Sequence, residues 1–178
     1  MLDLEKAIVE RFNRVRRGKI QASRIRCHGD YHLGQLLFTG KDFVITDFEG
    51  EPARSLSERR LKRSPLRDVA GMLRSFHYAA HTALNKQAPL RPRPEDTLPL
   101  MGQWARFWYT WVSVDFLKTY LDIIRQTGLL PEDPEQLKVL LDAFLLNKVL
   151  YEIGYELNNR PDWVKVPLQG VLQQMAEG

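Results

Sequence analysis

Apolar residues recur every three or four positions over most of the chain, which is the spacing of one face of an α-helix. Ser64-Pro65 is a typical helix start, because serine caps a helix N-terminus and proline fits the first helical position. Asp133-Pro134, followed by Gln136, is a second such start. The pattern predicts helices over residues 1–17, 65–84, 100–127 and 134–157, and a short last helix that begins at Pro167.

One β-hairpin interrupts the helical pattern. Leu36-Leu37-Phe38 and residues 43–46 are short apolar runs, and the turn that joins them contains Gly40. The predicted fold class is therefore mainly α with a small β-hairpin (α+β), in one domain of residues 1–178. Its predicted parts are polar loops over residues 28–52, a Pro-rich surface connection over 85–99 and a helical part over 100–178.

Composition excludes several classes of protein. The chain has 178 residues, 44% of them hydrophobic, so it can bury a core and is not intrinsically disordered. Its single cysteine, Cys27, excludes an intrachain disulfide. No apolar run approaches the ~20 residues of a membrane-spanning helix, and the acidic N-terminus does not resemble a signal peptide. We therefore expect a cytoplasmic protein that does not contact a membrane.

The charge balance permits anionic partners but does not identify one. The formal net charge is +4, and basic residues cluster over residues 11–19 and 54–67. Neither a zinc-finger spacing nor an RNA-recognition signature accompanies these clusters. The clusters are thus interpreted as solvated faces without a nucleic-acid partner, and a basic nucleic-acid-binding module is kept as a minor alternative.

The candidate chemistry lies between His28 and Asp47. A hairpin folds its ends together, so Gln35 before the first strand and Asp47 after the second should lie close in space. Two oxygen-bearing side chains suit Mg²⁺, which keeps several waters and binds few protein groups. Asp30 could accept a proton from an attacking hydroxyl. A carboxylate base beside a metal-held polyphosphate is the arrangement used in phosphoryl transfer.

Other functions for these residues are considered alongside. Both aspartates could make only local hydrogen bonds in their loops. His28, Asp30 and His32 share one face of an extended segment and, with Asp47, could hold zinc. Asp68 opens a helix, where it could stabilise the helix dipole or tie the helix to the loop that contains Asp30.

Two aromatic-rich helix faces admit both a structural and a functional interpretation. Trp104, Trp108 and Trp111 have helical spacing, which favours a core position over a platform for sugar rings. On the last long helix, a surface ion pair with half-buried tyrosines is one interpretation, and a wall that binds sugar hydroxyls is the other. The residues of this possible wall are Lys148, Tyr151, Glu152 and Tyr155, with Arg160 beyond them.

Four segments resemble a known family. HGDYHLGQLL, ITDFEGEPARSLSERR and SPLRDVAGMLRSFHYAA are similar to the kinase-like aminoglycoside phosphotransferase superfamily. With the last segment, KVLYEIGYELNNRPDW, they resemble bacterial maltokinases, including those fused to trehalose synthase. The resemblance implies transfer of phosphate from ATP to maltose or a related α-glucoside, with maltose 1-phosphate as the product.

The resemblance also implies roles for single residues. Asp30 would be the catalytic base, and His28 would brace its loop. Asp47 would be the principal Mg²⁺ ligand, with Gln35 and Glu49 assisting. The wall that begins at Lys148 would bind the acceptor sugar, and Asp68 would have a structural role.

Kinases of this kind also need an N-terminal lobe that covers the nucleotide phosphates. Only one predicted helix and a short extended segment precede His28, so the resemblance implies a C-terminal lobe alone. The N-terminal lobe would come from a partner chain or from the rest of a longer protein. A non-catalytic fragment, or a module that binds a sugar or a protein partner, is the alternative.

Overall fold

Helices dominate the computed structural model, which describes the backbone of residues 4–87 and 94–176. Within this part of the chain, six α-helices accompany one antiparallel two-stranded sheet. The elements are α1 (Glu5–Arg16), β1 (Leu36–Phe38), β2 (Phe43–Ile45), α2 (Leu56–Arg60), α3 (Leu66–Gln87), α4 (Pro94–Ile124), α5 (Pro134–Asn159) and α6 (Lys165–Ala176). The prediction of a mainly helical chain with one small hairpin is confirmed.

The connection between α3 and α4 is shorter than the sequence predicted. Helix α3 continues to Gln87 and α4 already begins at Pro94, so most of the expected 85–99 connection is helical. Proline is tolerated at a helix start, where its missing N–H would have no partner. Residues 88–93 of the predicted connection lie outside the described residues.

The hairpin lies where the sequence predicted it, and a short helix follows it that the pattern did not predict. Leu36 pairs with Ile45 and Phe38 with Phe43 across the two strands. Helix α2 begins with a capping box. The Ser55 hydroxyl accepts a hydrogen bond from the Glu58 backbone N–H, and the Glu58 carboxylate accepts one from the Ser55 backbone N–H. The Ser-x-x-Glu spacing was the sequence signal for this helix.

The main core forms around α3, which contacts α4 and α5. Apolar side chains on one stripe of α3 are almost fully buried, and residues at the end of α4 and after it close the cluster. Its buried members are Leu66, Val69, Met72, Leu73, Phe76, Ile124 and Leu130. A smaller cluster of Leu146, Val149 and Val171 joins α5 to α6. The first residues of α3 are thereby fixed beneath the loop that contains Asp30.

One ion pair and one hydrogen bond to a carboxylate connect α3 and α5 inside the protein. The Arg74 Nε donates to Glu152 Oε2 at 2.9 Å, and the Arg74 side chain is 2% exposed. One turn further along α5, Glu156 accepts from the Tyr78 hydroxyl at 3.0 Å and from the Arg160 guanidinium at 2.7 Å. Buried charges of this kind are tolerated because each has a hydrogen-bonding partner.

Two apolar surfaces remain exposed. The predicted core position of the tryptophans is wrong: Trp104 is 64% exposed, and Trp108 and Trp111 are also exposed, because α4 packs on α3 through a different face. On the hairpin, the rings of Phe38 and Phe43 pack against each other at a tilt and are exposed at the surface. None of the described helices has the length and apolar character needed to cross a membrane.

Candidate functional site

Asp68 holds the loop that contains Asp30. Its Oδ2 accepts from the His28 N–H at 2.7 Å and its Oδ1 from the Gly29 N–H at 2.9 Å. Gly29 has a φ of 89°, a conformation that favours glycine. Two roles were considered for Asp68, stabilising the helix dipole and tying the helix to the loop. These hydrogen bonds support the second role, because they join the start of α3 to the loop.

Asp68→Asn is expected to loosen this loop, because one carboxylate oxygen is replaced by an NH₂ group that cannot accept. Hydrogen bonds to charged groups contribute about 1.5–3 kcal/mol each, so the free energy of unfolding should fall by about that amount. Denaturant unfolding and hydrogen exchange at the Gly29 amide would measure the effect. Asp115→Asn, at an exposed position on α4, is the matched control. Unchanged exchange at Gly29 in Asp68→Asn would contradict this role.

His28 joins the same loop to the hairpin. Its Nε2 lies 2.7 Å from the Thr46 carbonyl oxygen, and its Nδ1 accepts from the Asp30 N–H at 3.4 Å. The ring is buried and packs against Tyr31 and Phe48. His28 thus links Asp30 to Thr46, the residue before Asp47, and holds the two loops together.

Gln35 and Asp47 meet at the open end of the hairpin, as its geometry predicted. The Gln35 Nε2 donates to Asp47 Oδ2 at 2.9 Å. Asp47 has a φ of 60°, the left-handed region that costs energy for a residue other than glycine and is enriched at functional sites. The side chain of Glu49 is exposed and forms no ion pair among the residues described, and its share in a metal site stays a prediction.

The donor set at this position is small. No group of three or more His, Cys, Asp or Glu side chains in the described ranges is arranged to hold a metal ion. One carboxylate and one amide, both open to solvent, nevertheless fit Mg²⁺, which keeps much of its water shell. The Gln35 amide would have to turn its oxygen toward the ion, because its nitrogen now faces Asp47.

Asp30 faces a cavity of about 730 Å³ between its loop, α1 and α5. The Lys148 ammonium lies 3.7 Å from Asp30 Oδ1 and 3.9 Å from Glu51 Oε2, so it bridges two carboxylates. The Tyr151 ring packs beneath the cations of Lys148 and Arg54, at 5.3 and 5.7 Å from its centroid. Carboxylates, a cation and a phenol therefore converge on one space, which we call the Asp30 cavity.

The cavity sets the protonation of its residues. His32, whose Nε2 is 3.7 Å from Asp30 Oδ2, is the main cause that lowers the pKa of Asp30, and Lys148 lowers it further against the effect of burial. Burial, and then the charge of Glu51, raises the pKa of Tyr151 to about 12. At neutral pH the cavity therefore presents an ionised carboxylate and a neutral hydroxyl donor.

The predicted wall on α5 is only half formed. Lys148 and Tyr151 line the Asp30 cavity, but Glu152, Tyr155 and Arg160 do not. Glu152 turns inward to Arg74, and burial raises its pKa. Arg160 folds back onto Glu156 and packs over the Tyr155 ring at 5.7 Å. The inclusion of Glu152 in the wall is corrected, because its carboxylate pairs with buried Arg74, whereas Tyr155 and Arg160 as wall residues stay a prediction.

Glu51 and Arg54 are cavity residues that the sequence interpretation missed. Both follow Asp47 in the loop before α2, and Gly50, with a φ of 81°, turns the chain toward α5. The signal was present in the acidic Glu49-Gly50-Glu51 run, where only Glu49 was singled out. A glycine turn between two glutamates points them in different directions, which pattern alone does not resolve.

Comparison by sequence finds glucosamine kinases. The chain is 34% identical over 153 residues to the "Glucosamine kinase" of Mycolicibacterium smegmatis, which is 85% of this chain and 34% of that protein. The corresponding protein of Streptacidiphilus jiangxiensis is 27% identical over 148 residues, which is 80% of this chain and 30% of that protein. The chain thus spans about one third of the length of the curated relatives it matches. No family model matches the sequence.

Comparison by structure gives the same group. One crystal form of a glucosamine kinase superposes with a TM-score of 0.77 at 20% identity, over 96% of this chain and 38% of that one. A glucosamine kinase in complex with glucosamine, ADP and inorganic phosphate gives a TM-score of 0.66 at 24% identity, over 84% of this chain and 34% of that one. At these identities the likeness shows that the chain has the fold of one part of a glucosamine kinase, in agreement with the expected kinase-like lobe.

Proposed function

We propose that this chain is the acceptor-binding and catalytic part of a sugar kinase, which transfers a phosphoryl group from ATP to a sugar hydroxyl. The observation that carries the proposal is Asp30, an ionised carboxylate fixed by Asp68 and His28 at the wall of a cavity of about 730 Å³. The sequence similarity to glucosamine kinases supports the same reaction class.

The chemistry follows from these positions. The sugar hydroxyl oxygen forms a bond to the terminal phosphorus of ATP while the bond from that phosphorus to ADP breaks, and the hydroxyl proton passes to Asp30. Lys148 and Tyr151, which lie beside Asp30 in the cavity, would orient the sugar by hydrogen bonds. Asp47 and Gln35 would hold Mg²⁺, which when bound neutralises the charge of the phosphates.

Two acceptors are proposed in order. Glucosamine comes first, because the relatives bear its name. Maltose comes second, on the maltokinase-like motifs and on a cavity whose volume lies well inside the range of about 300–1,000 Å³ typical of ligand pockets.

A separate lobe to hold the nucleotide is part of the proposal. The hairpin exposes apolar side chains on both faces, Leu37 and Val44 on one and Phe38 and Phe43 on the other, and Phe48 after it is exposed as well. Exposed apolar patches of this kind are typical of surfaces that bind another domain or chain. We propose that the lobe that covers the nucleotide docks on this hairpin, from the same polypeptide or from a partner chain.

Saturation-transfer NMR of the 178-residue chain tests the acceptor site without ATP or a second lobe. We expect transfer to glucosamine, weaker or equal transfer to maltose, and none to cellobiose. Tyr151→Ala should weaken binding by about tenfold, since loss of one ring contact and one hydrogen bond is worth more than about 1 kcal/mol.

Tyr155→Ala is the matched control, because Tyr155 lies one turn further along α5 and does not line the cavity. Its sugar binding should equal that of the unmodified chain. Absence of transfer to every sugar would overturn the proposed acceptor site, and stronger transfer to maltose than to glucosamine would reverse the order of acceptors.

A further inference from the structure

A second cavity, of about 210 Å³, lies where α1, α3, α4, α5 and α6 meet. It shares no lining residue with the Asp30 cavity. Three cationic side chains line it, Arg11, Arg74 and Lys138, against one carboxylate, Asp142. We call this space the Arg74 cavity. Its charge and small volume suit a compact anion better than a sugar.

Arg74 lines this cavity and is itself almost fully buried. Its Nη2 lies 2.8 Å from Glu152 Oε2, so an internal carboxylate holds this guanidinium in place. Gly170 leaves room for the guanidinium, because a Cβ at that position would collide with Arg74 Nη1.

The other two cations differ in their partners. Lys138 forms an ion pair with Asp142 at 2.7 Å, four residues along α5. Arg11 has no ion pair among the residues that the structure describes. The positive field reaches the next turn of α3, where burial and then Arg74 lower the pKa of His77. A net positive, partly enclosed site therefore remains after the internal pairs are counted.

We infer that the Arg74 cavity binds a phosphate-class oxyanion, through Arg11 and Arg74 with Lys138 at the rim. Guanidinium groups match the oxygens of a tetrahedral anion, and the Gln173 and Gln174 amides on α6 add uncharged donors. The volume admits inorganic phosphate or the phosphoryl end of a phosphate monoester. This inference concerns a site apart from the acceptor cavity and does not depend on the proposed function.

Titration of inorganic phosphate into the 178-residue chain, followed by NMR, tests it. We expect the side-chain amide signals of Gln173 and Gln174 and the backbone signal of Gly170 to shift. The double variant Arg11→Gln/Lys138→Gln should weaken binding by about tenfold or more, as expected for the loss of charge-assisted hydrogen bonds. Arg74 is left intact in this test, because its removal would strand Glu152.

Arg14→Gln is the matched control: Arg14 is exposed on α1 and lines neither cavity. A hexose phosphate forms the second arm and should compete with inorganic phosphate for the same signals. Shifts confined to the Asp30 cavity, equal binding by the double variant, or no shift with either anion would each overturn the inference.

Discussion

Asp30→Asn is expected to abolish phosphoryl transfer to a sugar while the chain stays folded. The amide has the shape of the carboxylate but cannot accept the hydroxyl proton. General-base catalysis contributes about 10²–10⁴-fold, so the rate should fall by at least about 10²-fold. ADP release, measured with the chain supplied with a nucleotide-binding lobe in cis or in trans, would show the loss.

The pH dependence offers a second readout of the same residue. His32 and Lys148 lower the pKa of Asp30 from its ordinary value of 3.8, so the carboxylate is ionised at neutral pH. A base with a lowered pKa loses activity only as the pH falls through that lowered value. If Asp30 is the base, the unmodified chain supplied with a nucleotide-binding lobe should therefore show no loss of transfer through Asp30 between neutral pH and about pH 5.

Asp122→Asn, at an exposed position on α4, is the control for Asp30→Asn. Circular dichroism should show the same helical signal for both variants and for the unmodified chain. Retained transfer in Asp30→Asn would contradict its assignment as the base. Sugar binding without transfer in the unmodified chain would instead favour a non-catalytic sugar-binding module.

The hairpin explains why part of the site could be predicted from sequence. Two apolar runs around a glycine turn define which residues lie at its open end, so the meeting of Gln35 and Asp47 follows from local geometry. Helix starts could be predicted because they too depend on residues close in sequence. Asp133, for example, caps α5 by accepting a hydrogen bond from the Glu135 N–H.

The orientation of whole helices could not be predicted in this way. Periodicity shows that Lys148 and Glu152 lie near each other on α5. It does not show whether each side chain turns toward the loop of Asp30 or toward α3. Glu152 is drawn inward by Arg74, which is 78 residues away in sequence, and Lys148 is drawn to the loop of Asp30. The exposure of Trp104 likewise depends on how α4 packs against α3.

Arg74→Met is expected to produce the largest loss of stability of the variants considered. The methionine fills much of the apolar volume but leaves Glu152 buried without its cation. Removal of one partner from a buried ion pair costs about 3–5 kcal/mol. For a domain of this size each kcal/mol shifts the melting temperature by about 2–4 °C, so thermal unfolding should begin roughly 10 °C lower.

The double variant Arg74→Met/Glu152→Met separates the pair from the packing. Replacing both partners of a buried pair with apolar residues is often neutral, so most of the lost melting temperature should return. Lys138→Met is the matched control, because its pair with Asp142 is largely exposed and should leave the melting temperature nearly unchanged. If the double variant melted as low as Arg74→Met alone, the loss would come from the shape of Arg74 in the core, and the stranded carboxylate would not be its cause.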